Sequence, residues 1–326
     1  MRDVLRWRLQ RTRNGVEPSP PADAFMTAAH DIAAPAANAG EVRITWVGQC
    51  TFLVQLGGFN VLTDPVWSRR ASPLQFAGPE RLVPPGVAFE DLPPIDVVLL
   101  SHDHYDHLDA HTVRRIGRRF GARVHWVTPL GYREWLGDHA VQTHDAPTTS
   151  ELDWWQSIDV PMHSTAAPSA RLRITAAPSQ HWTRRTPFDA RRRLWASFAL
   201  ESAGHRLFFC GDSGYHPGFA AIAAVLGPFD AVLMPIGAYA PRWFMRAAHM
   251  NPEEAVRAYE DLGATGIFTA MHWGTFRLAD EPVFEPPARV RAAWAARGLD
   301  SGALWIPQHG ETRIIHDSRF TIHASP

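Results

Sequence analysis

The densest run of chemically able side chains is Ser101-His102-Asp103-His104-Tyr105-Asp106-His107-Leu108-Asp109. It sets His102, His104, Asp106 and His107 within six residues. His102 and His104 are two apart, so an extended backbone sends both imidazoles to one side. Asp106 and His107 follow where the chain turns toward a helix. Neutral imidazoles and carboxylates together suit zinc. One loop does not complete two tetrahedral metal positions, so further donors must arrive from elsewhere. Three residues stand in comparable places: His181 in Pro178-Ser179-Gln180-His181-Trp182, Asp212 in Cys210-Gly211-Asp212-Ser213-Gly214, and His272 in Ala270-Met271-His272-Trp273-Gly274. Each follows an apolar run that reads as a strand, and strand ends are where sites are built.

The elements that must position these groups are legible in part. Arg43–Val47, Phe52–Leu56 and Asn60–Thr63 read as strands, with Gly57-Gly58 turning the last two. Asp96–Ser101 is nearly all apolar and reads as a buried strand leading into the His loop. Further strands are predicted at Arg171–Ala177, Leu194–Leu200, Arg206–Cys210, Ala231–Pro235 and Ile267–Met271. Helices are predicted at Leu108–Phe120, at Pro252–Leu262 behind an Asn251 cap with Glu254 completing a capping box, and from Pro287 to Arg297 before Gly298. Thr51–Asp64 is echoed by Ser197–Asp212, and Pro93–His102 by Gly227–Ile236. Two such halves suggest two sheets face to face with helices outside.

Composition narrows the class. The chain has 326 residues, 45% hydrophobic and 20% charged, which fits a folded globular protein. Its net charge of -1 gives no general attraction to nucleic acid. Its basic residues are all arginine. Two cysteines, Cys50 and Cys210, make neither a disulfide framework nor a four-cysteine zinc site, and a reducing, cytoplasmic location is expected. No apolar run reaches the roughly 20 residues of a membrane span, and Arg2, Arg6, Arg8, Arg11 and Arg13 interrupt any signal-peptide core. Residues 1–40 read as a flexible arm before a domain at 41–326. Within the arm, Val4, Leu5, Trp7 and Leu9 among arginines suit an anionic lipid surface, so a peripheral place on the inner membrane face is the alternative location.

The order His-x-His-x-Asp-His, then His, then Gly-Asp, then a late His resembles the metallo-β-lactamase superfamily. The resemblance is nearer still to N-acylphosphatidylethanolamine-hydrolysing phospholipases D, over roughly residues 45–311. It rests on Trp46-Val47-Gly48, Leu62-Thr63-Asp64-Pro65, Leu92-Pro93-Pro94-Ile95-Asp96 and the His loop. It continues through Glu151-Leu152-Asp153-Trp154-Trp155, the His181 segment, Ile236-Gly237-Ala238-Tyr239, Pro241-Arg242-Trp243-Phe244, Pro252-Glu253-Glu254-Ala255, His272-Trp273-Gly274-Thr275-Phe276 and His309-Gly310-Glu311. The resemblance implies a four-layer αββα sandwich holding two zinc ions, with His102, His104 and His181 on the first, Asp106, His107 and His272 on the second, and Asp212 bridging. It implies that Tyr105 and His249 contact the substrate head group. Homodimers occur in the branch, so a homodimer is expected. Gln49 stands where the branch usually has His, Cys50 where Ala is usual, and Ala248 in place of a polar residue; these departures bear on substrate preference.

Two zinc ions roughly 3.5–4 Å apart hold a shared water as hydroxide near neutral pH, a nucleophile that needs no Ser or Cys. The implied reaction splits an N-acylphosphatidylethanolamine-like phospholipid into phosphatidate and an N-acylethanolamine. Asp106 and His249 are the catalytic candidates, with His249 orienting the head group or moving a proton; packing at the helix entry is its plainer role. Tyr105 and Arg184, with Arg185, are candidates for the anionic head group, against a core aromatic and a solvated basic loop. His309 and Asp64 are candidates for orienting ligands. Other hydrolyses on the same centre, of a sugar-phosphate lactone or a cyclic phosphodiester, are the alternative. A redox di-iron centre is disfavoured by His104, and a non-catalytic scaffold by retention of the whole ligand set.

Overall fold

The computed structural model describes residues 6–7, 9–11, 20–38, 40–140, 147–162 and 171–316. The first sheet begins with β1 (Glu41–Gly48), β2 (Thr51–Leu56), β3 (Phe59–Thr63), β4 (Val97–Leu99), β5 (His125–Pro129) and β6 (Thr148–Leu152). The chain then crosses to the second sheet, β7 (Ser157–Pro161), β8 (Arg171–Ala177), β9 (Ser197–Ser202), β10 (His205–Phe209), β11 (Ala231–Pro235), β12 (Ile267–Met271) and β13 (Leu304–Trp305). Finally β14 (Thr312–His316) returns to pair antiparallel with β1, so each sheet has seven strands.

The two sheets repeat one plan. β2 and β3 form an antiparallel hairpin, and β4 and β5 add to it in parallel. In the second sheet β9 and β10 form the hairpin, and β11 and β12 follow in parallel. The echo read in the sequence is therefore structural. Parallel strands need crossovers, which put helices on the outer faces. Over the first sheet lie α1 (Ala110–Phe120) and α2 (Arg133–His139). On the second sheet's side lie α3 (Gly218–Leu226), the short α4 (Arg242–Met245), α5 (Pro252–Asp261) and α6 (Glu285–Ala296). The architecture is the αββα sandwich.

Side-chain alternation divides the core. Val97 and Leu99 of β4 join Phe52, Val54, Ile174, Phe198 and Phe209 between the sheets. Val98 and Leu100 turn outward to Val113 and Ile116 of α1. With both faces covered, β4 is apolar throughout, as a buried parallel strand must be.

The predicted bounds of β8, β11 and β12 coincide with the observed ones. Helix α1 starts two residues later than the spacing predicts, because Asp109 is its N-cap and accepts from His111 N. Strand β9 begins at Ser197 rather than Leu194, since Leu194 N–H bonds to Leu130 and Ala196 N–H to Ser101, tying that stretch to the first sheet's loops. The predicted capping box of α5 is present, with Asn251 accepting from Glu254 N. Strands β5, β6, β7, β13 and β14 carried too little periodicity to be predicted.

The stretch expected as a flexible arm makes defined contacts where it is described. Ala33 and the Gln55 amide exchange two hydrogen bonds at 2.9 and 2.7 Å, and Asn60 Nδ2 donates to the Pro35 carbonyl. Phe25 is buried against Phe284 and His309. A domain boundary at residue 40 cuts through these contacts. Earlier, Trp7 stacks on Phe244 and donates to Asp280, and Arg6 covers Trp243; Val4 and Leu5 lie outside the described residues. No helix among the described residues is long and apolar enough to cross a membrane.

Candidate metal centre

The His loop leaves the C-terminal end of β4, and its anchor is a carboxylate from the neighbouring strand. Asp64, just past β3, accepts from Ser101 N–H at 2.7 Å and Ser101 Oγ–H at 2.5 Å. His107 donates Nδ1–H to the same carboxylate at 2.7 Å, which turns its Nε2 inward. Asp212 arrives from the end of β10 and His272 from the end of β12; His181 follows β8. All seven predicted ligands meet in one place.

They fall into two groups that share Asp212. In the first, His102 Nε2 and His181 Nε2 lie 3.0 and 3.1 Å from His104 Nδ1, and Asp212 Oδ2 is 3.8 Å from the His102 and His181 nitrogens. His181 donates Nδ1–H to the Ala248 carbonyl, so its Nε2 is a lone pair aimed at the others. In the second, His107 Nε2 is 3.2 Å from Asp106 Oδ2 and from Asp212 Oδ2. His272 Nε2 is 3.3 Å from Asp106 Oδ2 and 3.2 Å from Asp212 Oδ1. Cys50 belongs to this second group, its donor atom within 4.8 Å of those of His107, Asp212 and His272.

The electrostatics ask for cations. Burial and the neighbouring imidazoles hold His102 and His104 well below the ordinary imidazole range. Around the second group burial opposes every charge, yet Asp212 and Asp106 lift His272 to about 9 and raise His107 as well. Both carboxylates are correspondingly held well below their usual range by His107 and His272. Protons thus stand where a metal would neutralise two buried carboxylates. Nε2 of His107 and of His272, and Oδ1 of Asp212, are buried with no hydrogen-bond partner. Leaving such atoms unpaired is costly, and a donor set of imidazole and carboxylate fits divalent metal ions.

The other predicted residues take varied places. His249 sits between the two groups, its ring 5.1 Å from that of His181 and 5.7 Å from that of His272, with Nδ1 buried, unpartnered and 3.8 Å from Asp212 Oδ2; burial lowers it to about 3. Its carbonyl accepts from Arg242, which pairs with Glu254 of the capping box, so the cap of α5 also positions His249. Tyr105 gives its hydroxyl to the Arg185 carbonyl and its ring face to the Arg185 guanidinium. Arg184 donates its backbone N–H to Asp103 and Nε to Thr186 O. His309 does not reach a ligand: it bonds Thr275, which accepts from Gln49 N, and it stacks on Trp46.

Several positioning roles escaped the sequence reading. Asp103, fully buried inside the His-x-His interval, pairs with Arg193 at 3.0 Å. Arg185 donates to the carbonyls of Asp103 and Leu108, and so pins both ends of the His loop. Gln49 donates Nε2–H to Asp106 Oδ2 at 2.8 Å. Only the odd residue types at positions 49 and 50 hinted at this corner. A cavity of about 890 Å³ lies at the opposite ends of the parallel strands, lined by Arg206, Asp230 and Ile267, and holds none of these residues.

A family model described as a β-lactamase superfamily domain matches residues 59–273. The chain is 38% identical over 272 residues to N-acyl-phosphatidylethanolamine-hydrolyzing phospholipase D 1 of Caenorhabditis elegans, covering 80% of this chain and 74% of that one. It is 30% identical to the mitochondrial N-acyl-phosphatidylethanolamine-hydrolyzing phospholipase D of Saccharomyces cerevisiae, over 83% of this chain and 55% of the yeast protein's length. A metallo hydrolase from Ignicoccus hospitalis shares the fold at a TM-score of 0.60 and 20% identity, over 85% of this chain and 99% of the other. The chain belongs to the metallo-β-lactamase superfamily, as a metal-dependent hydrolase similar to its N-acylphosphatidylethanolamine-hydrolysing phospholipases D.

Proposed function

We propose that this hydrolase is a zinc-dependent phosphodiesterase of phospholipase D type, which cleaves N-acylphosphatidylethanolamine-like lipids to phosphatidate and N-acylethanolamine at a membrane surface. The observation that carries the reading is the Asp212 carboxylate, shared by two sets of inward-facing imidazoles. The similarity to the worm and yeast enzymes supports the substrate class. When bound, two zinc ions lower the pKa of a water and neutralise charge building on the phosphate. His102, His104 and His181 would hold one, His107, His272 and Asp106 the other, with Asp212 between.

The protein's own groups do the rest. Gln49 keeps Asp106 in one orientation. His249 offers one ring nitrogen as acceptor and the other as donor, which suits holding the head group and relaying a proton to the leaving oxygen. Tyr105 and Arg185 wall a cavity of about 500 Å³ that Ser72, Pro73, Gln75 and Thr186 also line. The loops that flank it carry the exposed apolar side chains Leu74, Phe76 and Phe188, and Trp182 stands exposed against His104. Apolar tips around a polar centre suit a lipid interface.

The test presents N-acylphosphatidylethanolamine vesicles to the zinc-loaded chain, beside a panel of soluble phosphodiesters and lactones. Acylethanolamine and phosphatidate should appear together. His249→Gln should keep its zinc and lose about 10²-fold in kcat. Turnover of soluble substrates without acylethanolamine release would reject the lipid reading and leave the hydrolase.

A further inference from the structure

Residue 50 is a cysteine in a turn that reaches into the metal centre. β1 and β2 are joined through Gly48-Gln49-Cys50, with a register shift between Trp46 and Gly48. Gln49 has φ 53°, a strained conformation that the surroundings hold in place. Its N–H donates to Thr275 Oγ1 at 2.7 Å, and its carbonyl accepts from His272 N–H at 3.1 Å and Trp46 Nε1–H at 3.0 Å. The carbonyl of Cys50 in turn accepts from Thr63 Oγ1 at 2.7 Å. The turn is therefore clamped on both sides, and the loop that carries His272 is one side of the clamp. Cys50 is fully buried.

Its sulfur shares a cluster with His107, Asp212 and His272, all four donors within 4.8 Å of one another. The partner atoms are themselves orphans: Nε2 of His107, Nε2 of His272 and Oδ1 of Asp212 are buried and without hydrogen bonds. One sulfur, two imidazole nitrogens and one carboxylate oxygen make a four-donor set of the kind that zinc accepts. Asp106 Oδ2 is near the same nitrogens and accepts from Gln49, so it stands beside this set as the further carboxylate donor named above.

We propose that Cys50 Sγ is a ligand of the second metal, which makes the two positions unlike: nitrogen and oxygen donors alone on the His104 side, and a thiolate added on the His272 side. The proposal rests on the two-metal reading above. On binding, the S–H bond breaks, a sulfur–metal bond forms and the proton goes to solvent, since a coordinating thiol is deprotonated outright. A thiolate selects soft and borderline cations, so the second position should favour zinc, cobalt and cadmium over manganese and magnesium.

Cobalt(II) is the probe, loaded into the full-length chain. Visible d–d bands report that metal is bound, and a near-ultraviolet sulfur-to-cobalt charge-transfer band reports a thiolate ligand. Wild type and Cys210→Ala, which removes the other cysteine, should show both features. Cys50→Ala should keep the d–d bands, lose the charge-transfer band and bind cadmium at least about 10-fold more weakly. X-ray absorption at the zinc edge of the wild-type protein is a second reading that needs no variant, and should show a sulfur at about 2.3 Å. Bound cobalt with no charge-transfer band in wild type, an unchanged band in Cys50→Ala, or a zinc edge without sulfur would overturn the proposal while the two-metal reading stands. A chain that binds no cobalt overturns that reading, and this proposal with it.

Discussion

Asp64 shows how much of the centre depends on a residue that touches no metal position. Its two oxygens take Ser101 N–H, Ser101 Oγ–H and His107 Nδ1–H, so one carboxylate sets both the start of the His loop and the tautomer of a ligand. Asp64→Asn replaces one acceptor oxygen with a donor that faces donors. Metal affinity should fall about 10- to 100-fold, as it does when such partners of ligating histidines are removed. Metal titration of the variant checks this, and an unchanged affinity would show that His107 is oriented by something else. At this scale the ligand types were legible, because imidazole and carboxylate announce their chemistry wherever they stand. The acceptor for His181 was not legible, because it is the backbone carbonyl of Ala248, which has no side-chain signature.

Among the elements, the strand ends carry the ligands, and the turns behind them set how closely they approach. Gly237 follows β11, and a Cβ there would meet the His272 carbonyl oxygen at 2.0 Å. His272 itself has φ 62°, so the loop has little freedom to yield. Gly237→Ala should therefore release the metal on the His272 side and spare the one on the His104 side. On the proposed two-metal reading, metal counting on the purified variant should find about half the wild-type complement; a full complement would mean that the loop relaxes freely. Strand β4 and the cap of α5 were readable because each is a local pattern, an unbroken apolar run in one case and Asn251 with Glu254 in the other. Strands β6 and β7, with their partly exposed faces, had no comparable pattern.

On the scale of the whole molecule, the two sheets are tied together by the centre and by the extended segment at residues 20–38. Removing residues 1–38 would delete Phe25 and its burial against Phe284 and His309, worth about 2 kcal/mol, and would take from Gln55 its two hydrogen bonds to Ala33, at about 1–3 kcal/mol. The truncated chain should lose roughly 4 kcal/mol in urea denaturation; equal stability would make the segment a free arm after all. The amino-acid sequence by itself determined the kind of chemistry, the order of the ligands and the strands that lead into them, since these follow from residue type and short-range periodicity. Only the packing of one sheet on the other decided that Asp212 is shared, that Cys50 stands among the donors, and that Arg185 and Asp103 brace the His loop. Those contacts join residues far apart in the chain, and the distance between them is set by the thickness and twist of the whole sandwich rather than by any local pattern.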